Sequence, residues 1–365
     1  MKVPFLKIDQ PEELAEVFLQ SLQESDFILG KNVRAFEQEF ASYTGTGFCT
    51  GTGNGYDALY IALKALEIQP GDEVIVSSNA YIACWLAITN AGAVPVPVEP
   101  SLLTMNLDET HIEAKITKRT RAILAVHLYG LPCRMEKILQ IASKYQLKVI
   151  EDYAQAHGAR IGERLCGSFG DLNATSFYPT KNLGALGDGG AITGNDEALV
   201  HRCRLIGNYG SSVKNEHEVI GLNSRLDEIQ AAFLRSKLKQ LDEQNLKRRE
   251  IAGKYSVNLA AAQNLLLPHA PENHFHVYHQ FVIRTAKRDQ LKDFLAQHGI
   301  QTAIHYPLPP HLQQAYGFMG FSKGAFPVAE TMATSTLSLP VYPSLPAALQ
   351  EYVIDMILTF CKNNF

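Results

Sequence analysis

No stretch of this 365-residue chain stays apolar over the roughly 18 residues that a membrane span needs, so no membrane partner is expected. The opening residues, MKVPFLKIDQPEEL, lack the basic-then-apolar pattern of a secretory signal. Basic runs are missing as well. Lys and Arg number 33 against 37 Asp and Glu, and a net charge of −4 gives no ground for a nucleic-acid partner. The six cysteines (Cys49, Cys84, Cys133, Cys166, Cys203 and Cys361) show no C-x-x-C spacing, which suits reduced thiols in the cytoplasm. Internal repeats and low-complexity tracts are absent too, which argues against an array architecture and a disordered chain. What remains is 46% hydrophobic and 19% charged, an ordinary globular balance. The length exceeds what one compact core holds comfortably, so two domains are expected.

Continuous β-branched runs alternate with helical periodicity through the first two-thirds. DEVIVSS (72–78), GAVPVPVE (92–99), RAILAVHLYG (121–130), LKVIEDYA (147–154), ATSFYP (174–179) and GGAITG (189–194) read as buried strands. YDALYIALKALEI (56–68) and MEKILQIASKYQL (135–147) read as amphipathic helices. Such alternation predicts an α/β protein whose mostly parallel sheet is covered on both faces. A long helical signal follows over 224–260, with room for a break. Beyond it come a strand in HFHVYHQFVIRT, a helix in RDQLKDFLAQHGI and a terminal helix in AALQEYVIDMILTFCKNN. The expected division is a large domain over 1–240 and a small one over 241–365.

The glycine cluster GTGNGYDAL (51–59) is not a dinucleotide fingerprint, because its third glycine comes one position early. No Walker lysine follows it either. It reads as a strand, a tight turn, Asn54 as a helix N-cap and a helix, whose start suits a phosphate. A plain turn is the alternative. EDYAQAHGA (151–159) places two acids at the end of a strand, where functional groups of parallel sheets gather. They read as metal ligands, as a general base or as the partner of a buried cation. No carboxylate cage or His-x-x-x-His accompanies them, so no metal is expected. In HFHVYHQF (274–281), strand alternation sends His276 and His279 to opposite faces, against joint ligation with His274.

SFYPTKNLGALGDGGA (176–191) sets one lysine after a strand and before a glycine-rich run. A strand-end lysine, a strand-end acid and a phosphate-ready turn together meet the needs of pyridoxal 5'-phosphate. Lysine would bond the aldehyde, a carboxylate would keep the ring nitrogen protonated, and a helix start would hold the phosphate.

On these motifs the chain resembles the DegT-type nucleotide-sugar aminotransferases among the fold-type I pyridoxal-phosphate enzymes. FILGKNVRAFEQEFASYTG (27–45), GDEVIVSSNAYIACWLAI (71–88), GLNSRLDEIQAA (221–232) and HYPLPPHLQQAYG (305–317) extend the likeness over nearly the whole length, in order. The resemblance implies a fold-type I architecture: a large domain with a mostly parallel mixed sheet flanked by helices, and a smaller C-terminal α+β domain. It makes Lys181 the Schiff-base lysine and Asp152 the partner of the pyridinium nitrogen. Gln155 would bond the ring's phenolic oxygen. Ser176 would hold phosphate with the amides of Gly53, Asn54 and Gly55, and Tyr81 would stack on the ring with Ala154 opposite. Asn223 would reach the cofactor of a second copy in a homodimer. Tyr178, Tyr209, His305 and Tyr306 fall where the family places sugar contacts. Tyr56 departs from a usual Thr or Ser.

The form SFYPTK followed by GDGG is similar to members that aminate position 3 of a nucleotide-linked 3-keto-6-deoxyhexose, with dTDP as the expected carrier and L-glutamate as the donor. Amination at position 4 and a non-catalytic cofactor-binding sensor are the alternatives. A nicotinamide oxidoreductase lacks its fingerprint here. A dehydratase relative would carry histidine in place of Lys181.

Overall fold

A computed structural model describes residues 1–8, 14–21, 23 and 26–364. Ahead of the sheet lie α1 (Leu14–Ser21) and α2 (Lys31–Thr44). The sheet-bearing part then runs β1 (Phe48–Thr52), α3 (Gly55–Ala65), β2 (Glu73–Ser77), α4 (Ile82–Asn90), β3 (Val94–Val98), β4 (Thr120–Val126), α5 (Met135–Tyr145) and β5 (Lys148–Asp152). A hairpin of β6 (Arg160–Ile161) and β7 (Arg164–Leu165) precedes β8 (Leu172–Ser176), β9 (Gly190–Gly194) and α6 (Glu197–Gly207). The remainder is α7 (Glu228–Leu238), α8 (Leu241–Leu259), β10 (His274–Phe275), β11 (Phe281–Arg284), α9 (Arg288–Gln297), α10 (Pro327–Ser335), β12 (Thr336–Leu339) and α11 (Ala347–Asn364).

The main sheet has seven strands in the order β1-β9-β8-β5-β4-β2-β3. Only β9 runs against its neighbours, so the α/β expectation of a mostly parallel mixed sheet holds. Strand alternation sends Val74, Val76, Leu124, Ile150 and Ala174 to the face covered by α3 and α4. Ile75, Ile123 and Val149 go to the other face, against Ile138 and Ala142 of α5. β3 is an edge strand, and its sequence explains why. Pro95 and Pro97 have the same parity and no N–H, so the ladder they cannot complete is the one facing outward.

One consequence of this topology positions chemistry. The carboxyl ends of β1, β2, β4, β5 and β8 lie along one edge of the sheet, and the segment 177–189 crosses that edge before β9 returns.

Three expected elements come out shorter or divided. The long helix of 224–260 is α7 and α8, broken at Lys239–Gln240, where Asp242 and Glu243 favour a fresh N-terminus. The strand expected in 274–285 is β10 and β11, separated by Tyr278 at φ +46. The run 121–130 leaves the sheet at Val126 and turns through Tyr129 at φ +61.

A second apolar cluster joins Ile251, Tyr255 and Leu259 of α8 with Phe281 and Ile283 of β11, Leu337 and Leu339 of β12, and Ile354, Ile357 and Phe360 of α11. Val3 joins it from the start of the chain, bridging to Ile300. We propose the division at residue 240 on the strength of this separate core. Val282, Tyr316 and Met332 pack back onto the sheet-bearing part.

Candidate active site

The turn after β1 is built to bring backbone close to β8. Thr52 Oγ1 donates to the Asn54 carbonyl at 3.0 Å, and Asn54 Oδ1 accepts from Asp57 N–H at 2.8 Å, capping α3 as its sequence predicts. A Cβ on Gly55 would lie 2.4 Å from Ser176 Cβ, so only glycine lets these two segments meet. Asn54, Gly55 and Ser176 therefore share one wall of a cleft of about 470 Å³, with the start of α3 facing into it. Gly53 is placed differently from Asn54 and Gly55. Its N–H donates to Ser224 Oγ at 2.9 Å, and it stands outside the cleft lining.

The paired acids separate by strand alternation. Asp152, 9% exposed, turns to the cleft, where Oδ1 accepts from Ala154 N–H at 3.0 Å and Oδ2 from the Cys84 thiol at 3.1 Å. Glu151 turns away and is fully buried. It accepts from the amides of Gly167, Phe169 and Gly170 at 3.0, 2.5 and 3.1 Å, and meets His127 Nε2 at 2.8 Å. Cys166 also lies within ligating reach of Glu151 and His127. The geometry nevertheless reads as a hydrogen-bond network. The carboxylate's four lone-pair sites are taken, and His127 Nδ1 accepts from Cys133 N–H at 2.9 Å.

Lys181 enters the same cleft from the crossing segment. Its N–H donates to the Tyr178 carbonyl at 2.8 Å. The neighbouring Asn182 fixes the segment to the second half of the chain: Nδ2 donates to Asn245 Oδ1 of α8 at 2.7 Å, and Oδ1 meets His279 Nδ1 at 3.1 Å. Gly184 is packed where a Cβ would sit 2.4 Å from the Pro179 carbonyl oxygen. Burial lowers the Lys181 pKa below that of an ordinary lysine, and the negative charge of Asp152 pulls the other way.

Opposite, Tyr81 and Tyr306 lie with ring centroids 5.1 Å apart. Gln155 Oε1 accepts from Tyr129 N–H at 2.7 Å and its Nε2 donates to Tyr306 Oη at 3.2 Å. Tyr129 Oη donates to the His305 carbonyl at 2.6 Å, tying the segment 305–317 to the sheet edge. His305 Nδ1 meets Ser338 Oγ at 2.8 Å. Burial, helped by the Lys181 charge, pushes its pKa down to about 4, so it is neutral near pH 7.

The cleft thus gathers Asn54, Gly55, Tyr81, Asp152, Ala154, Gln155, Ser176, Tyr178, Lys181, His305 and Tyr306 from the sequence-predicted set. Tyr209 and Asn223 are elsewhere. They form an exposed pair, Asn223 Nδ2 donating to Tyr209 Oη at 2.7 Å, with the Arg225 guanidinium 5.5 Å from the tyrosine ring. Thr180, Asp188, His279 and Gln280 line the cleft without having been singled out as site residues. His279 carried a signal only as one of three histidines. The structure splits them, stacking His276 on Tyr278 and leaving His274 on β10.

The model of the DegT/DnrJ/EryC1/StrS aminotransferase family matches residues 8–358. The dTDP-3-amino-3,6-dideoxy-alpha-D-galactopyranose transaminase of Aneurinibacillus thermoaerophilus is 47% identical over 360 residues, covering 97% of this chain and 98% of that protein. The crystal structure of S. venezuelae DesV in complex with a ketimine intermediate superposes with a TM-score of 0.97 at 43% identity, over 99% of both chains. NtdA from Bacillus subtilis, solved with bound cofactor PMP, gives a TM-score of 0.91 at 34% identity, over 99% of this chain and 85% of that one. The chain belongs to the DegT/DnrJ/EryC1/StrS aminotransferase family.

Proposed function

We propose that this aminotransferase moves an amino group from L-glutamate to C-3 of a dTDP-linked 3-keto-6-deoxyhexose, working in the cytoplasm as a homodimer. The observation that carries this reading is the convergence of the Lys181 amine, the Asp152 carboxylate and the Gly55–Ser176 cradle on one cleft. The relative from Aneurinibacillus favours position 3 and the dTDP carrier.

The donor set fits pyridoxal 5'-phosphate. Ser176, Asn54 and Gly55 would hold its phosphate, Asp152 its ring nitrogen and Gln155 its phenolic oxygen, with Tyr81 and Ala154 against the ring. When bound, the cofactor supplies an aldehyde carbon for the amine and a protonated ring that accepts the electron pair freed at the substrate carbon. Lys181 Nζ, once unprotonated, takes the α-proton of the amino acid and, in the second half of the reaction, delivers a proton to C-3 of the sugar. Its lowered pKa makes the free base more available at neutral pH. Tyr81 and Tyr306 shield the reacting atoms from water, and neutral His305 with Tyr178 would hold sugar hydroxyls at the mouth.

Asn223 would complete the phosphate site of a second copy. Its exposed place outside its own cleft, near Ile220 (99% exposed), supports that reading. Among the described residues no helix is long and apolar enough to cross a membrane.

The test offers 3-keto and 4-keto dTDP-6-deoxyhexoses with glutamate and reads the product position by NMR. Amination at C-3 is expected; amination at C-4 overturns the position, and transfer from alanine or glutamine alone overturns the donor. Failure of glutamate to convert the bound cofactor spectrally would favour a sensor.

Gly55→Ala should weaken cofactor binding by at least about tenfold, on the order of 1.4 kcal/mol, because backbone must part to admit the methyl group. Titration of the apo-protein by absorbance measures it. Retained affinity would remove the turn from the phosphate site.

A further inference from the structure

Asp152 is held from two sides, and only one of them is backbone. The Ala154 N–H bonds Oδ1; the other donor is the Cys84 thiol on Oδ2, which comes from a different element, α4. Cys84 has no exposure and lies among apolar residues of the sheet core, where a cysteine commonly serves as a small hydrophobe. Packing alone does not account for its direction, because Sγ lies 3.1 Å from a carboxylate oxygen.

The helix that carries it is well fixed. The next residue, Trp85, is fully buried, donates Nε1–H to the Ser77 carbonyl at 3.2 Å, and meets the Tyr316 ring edge-on at 5.1 Å. Burial, followed by the negative charge of Asp152, raises the Cys84 pKa well above that of an ordinary thiol, so the sulfur keeps its proton and remains a donor. The N-cap of the same helix is Tyr81, one of the aromatic residues of the cleft.

We propose that Cys84 is a positioning residue for the reaction: its thiol locks the Asp152 carboxylate in the orientation that meets the cofactor's ring nitrogen, while Tyr81 three residues earlier sets the ring plane. A thiol is a weak donor, so its part is orientation, with little binding strength of its own. The inference rests on the reading of Asp152 as the ring-nitrogen partner.

The test compares wild type with Cys84→Ala, Cys84→Ser, Asp152→Asn and the Cys84→Ala/Asp152→Asn double variant, all as holoenzymes. Cofactor affinity is read by titrating the apo-proteins, and thermal midpoints are recorded. Cys84→Ala should lower kcat by about tenfold and weaken cofactor binding several-fold, and Cys84→Ser, which restores a donor of similar size, should recover most of both. With Asp152→Asn already present, Cys84→Ala should add nothing to the loss in kcat, because the thiol acts through that carboxylate. The proposal is overturned if Cys84→Ala changes only the thermal midpoint, if serine is as impaired as alanine, or if the losses add in the double variant. If Asp152→Asn itself has no effect, the reading of Asp152 fails first, and that result is distinct from the others.

Discussion

Replacing Lys181 with alanine should leave a folded protein that still takes up the cofactor and does not turn over, with kcat reduced by at least about 10⁴-fold. The size of the effect follows from the double duty of a single amine. Among the residues lining the cleft, Lys181 supplies the sole amine; the two histidines there, His279 and His305, are weakened as bases by burial, which lowers both pKa values, and their Nδ1 atoms are held by Asn182 and Ser338. Arginine at 181 should fail as completely, since a guanidinium keeps its proton. Borohydride reduction followed by peptide mass analysis should find the cofactor fixed to the Lys181 peptide in wild type and to none in either variant. A turnover rate within tenfold of wild type would end the assignment.

The same amine gives a pH signature. Its pKa is lower in the fold than in an unfolded chain, so the active free-base form appears as pH rises, and the rate should climb through a midpoint below that of an ordinary lysine. Between the folded value and the unfolded one, the unfolded chain binds more protons at this position. Its contribution to stability therefore rises with pH across that window.

The sheet and the placing of Asp152 and Lys181, the pair proposed to react, were readable in the sequence because both rest on local rules. Continuous β-branched runs mark buried strands, and a strand end is where a parallel sheet exposes chemistry, so Asp152 and Lys181 stood out at 152 and 181. Period-two alternation would also have separated Glu151 from Asp152. What Glu151 binds was not readable, because its partners at 127 and 167–170 are brought near by the sheet order alone. Long-range pairing hid the other features as well. Gly53 looks like a free amide until Ser224, distant in the chain, is found against it. His279 gains its place through Asn182, and Cys84 through Asp152, and nothing in their local patterns says so. The break at Tyr278 came from a similar source: periodicity there is compatible with one element, and packing of Val277 and of Phe281 into two different cores divides it.

Asp152→Asn should cost about 10²-fold or more in kcat while leaving the fold intact. Asparagine has almost the same shape, and its Oδ1 can keep the bond from Ala154 N–H. That choice turns the NH₂ group toward Cys84 and the ring-nitrogen position, where the carboxylate had presented an acceptor. Two donors would then face each other, and the amide could no longer stabilise a protonated ring, so the electron pair released at the substrate carbon would have nowhere favourable to go. Stability should change little, because Asp152 sits at the cleft wall and its backbone remains in the ladder with β4 and β8. The half-reaction with glutamate, followed by absorbance in single-turnover mixing, isolates the proton-transfer step from product release. Slowing there by two orders of magnitude with an unchanged thermal midpoint is the expected result. A half-reaction within about threefold of wild type would mean that this carboxylate does not govern the ring's protonation.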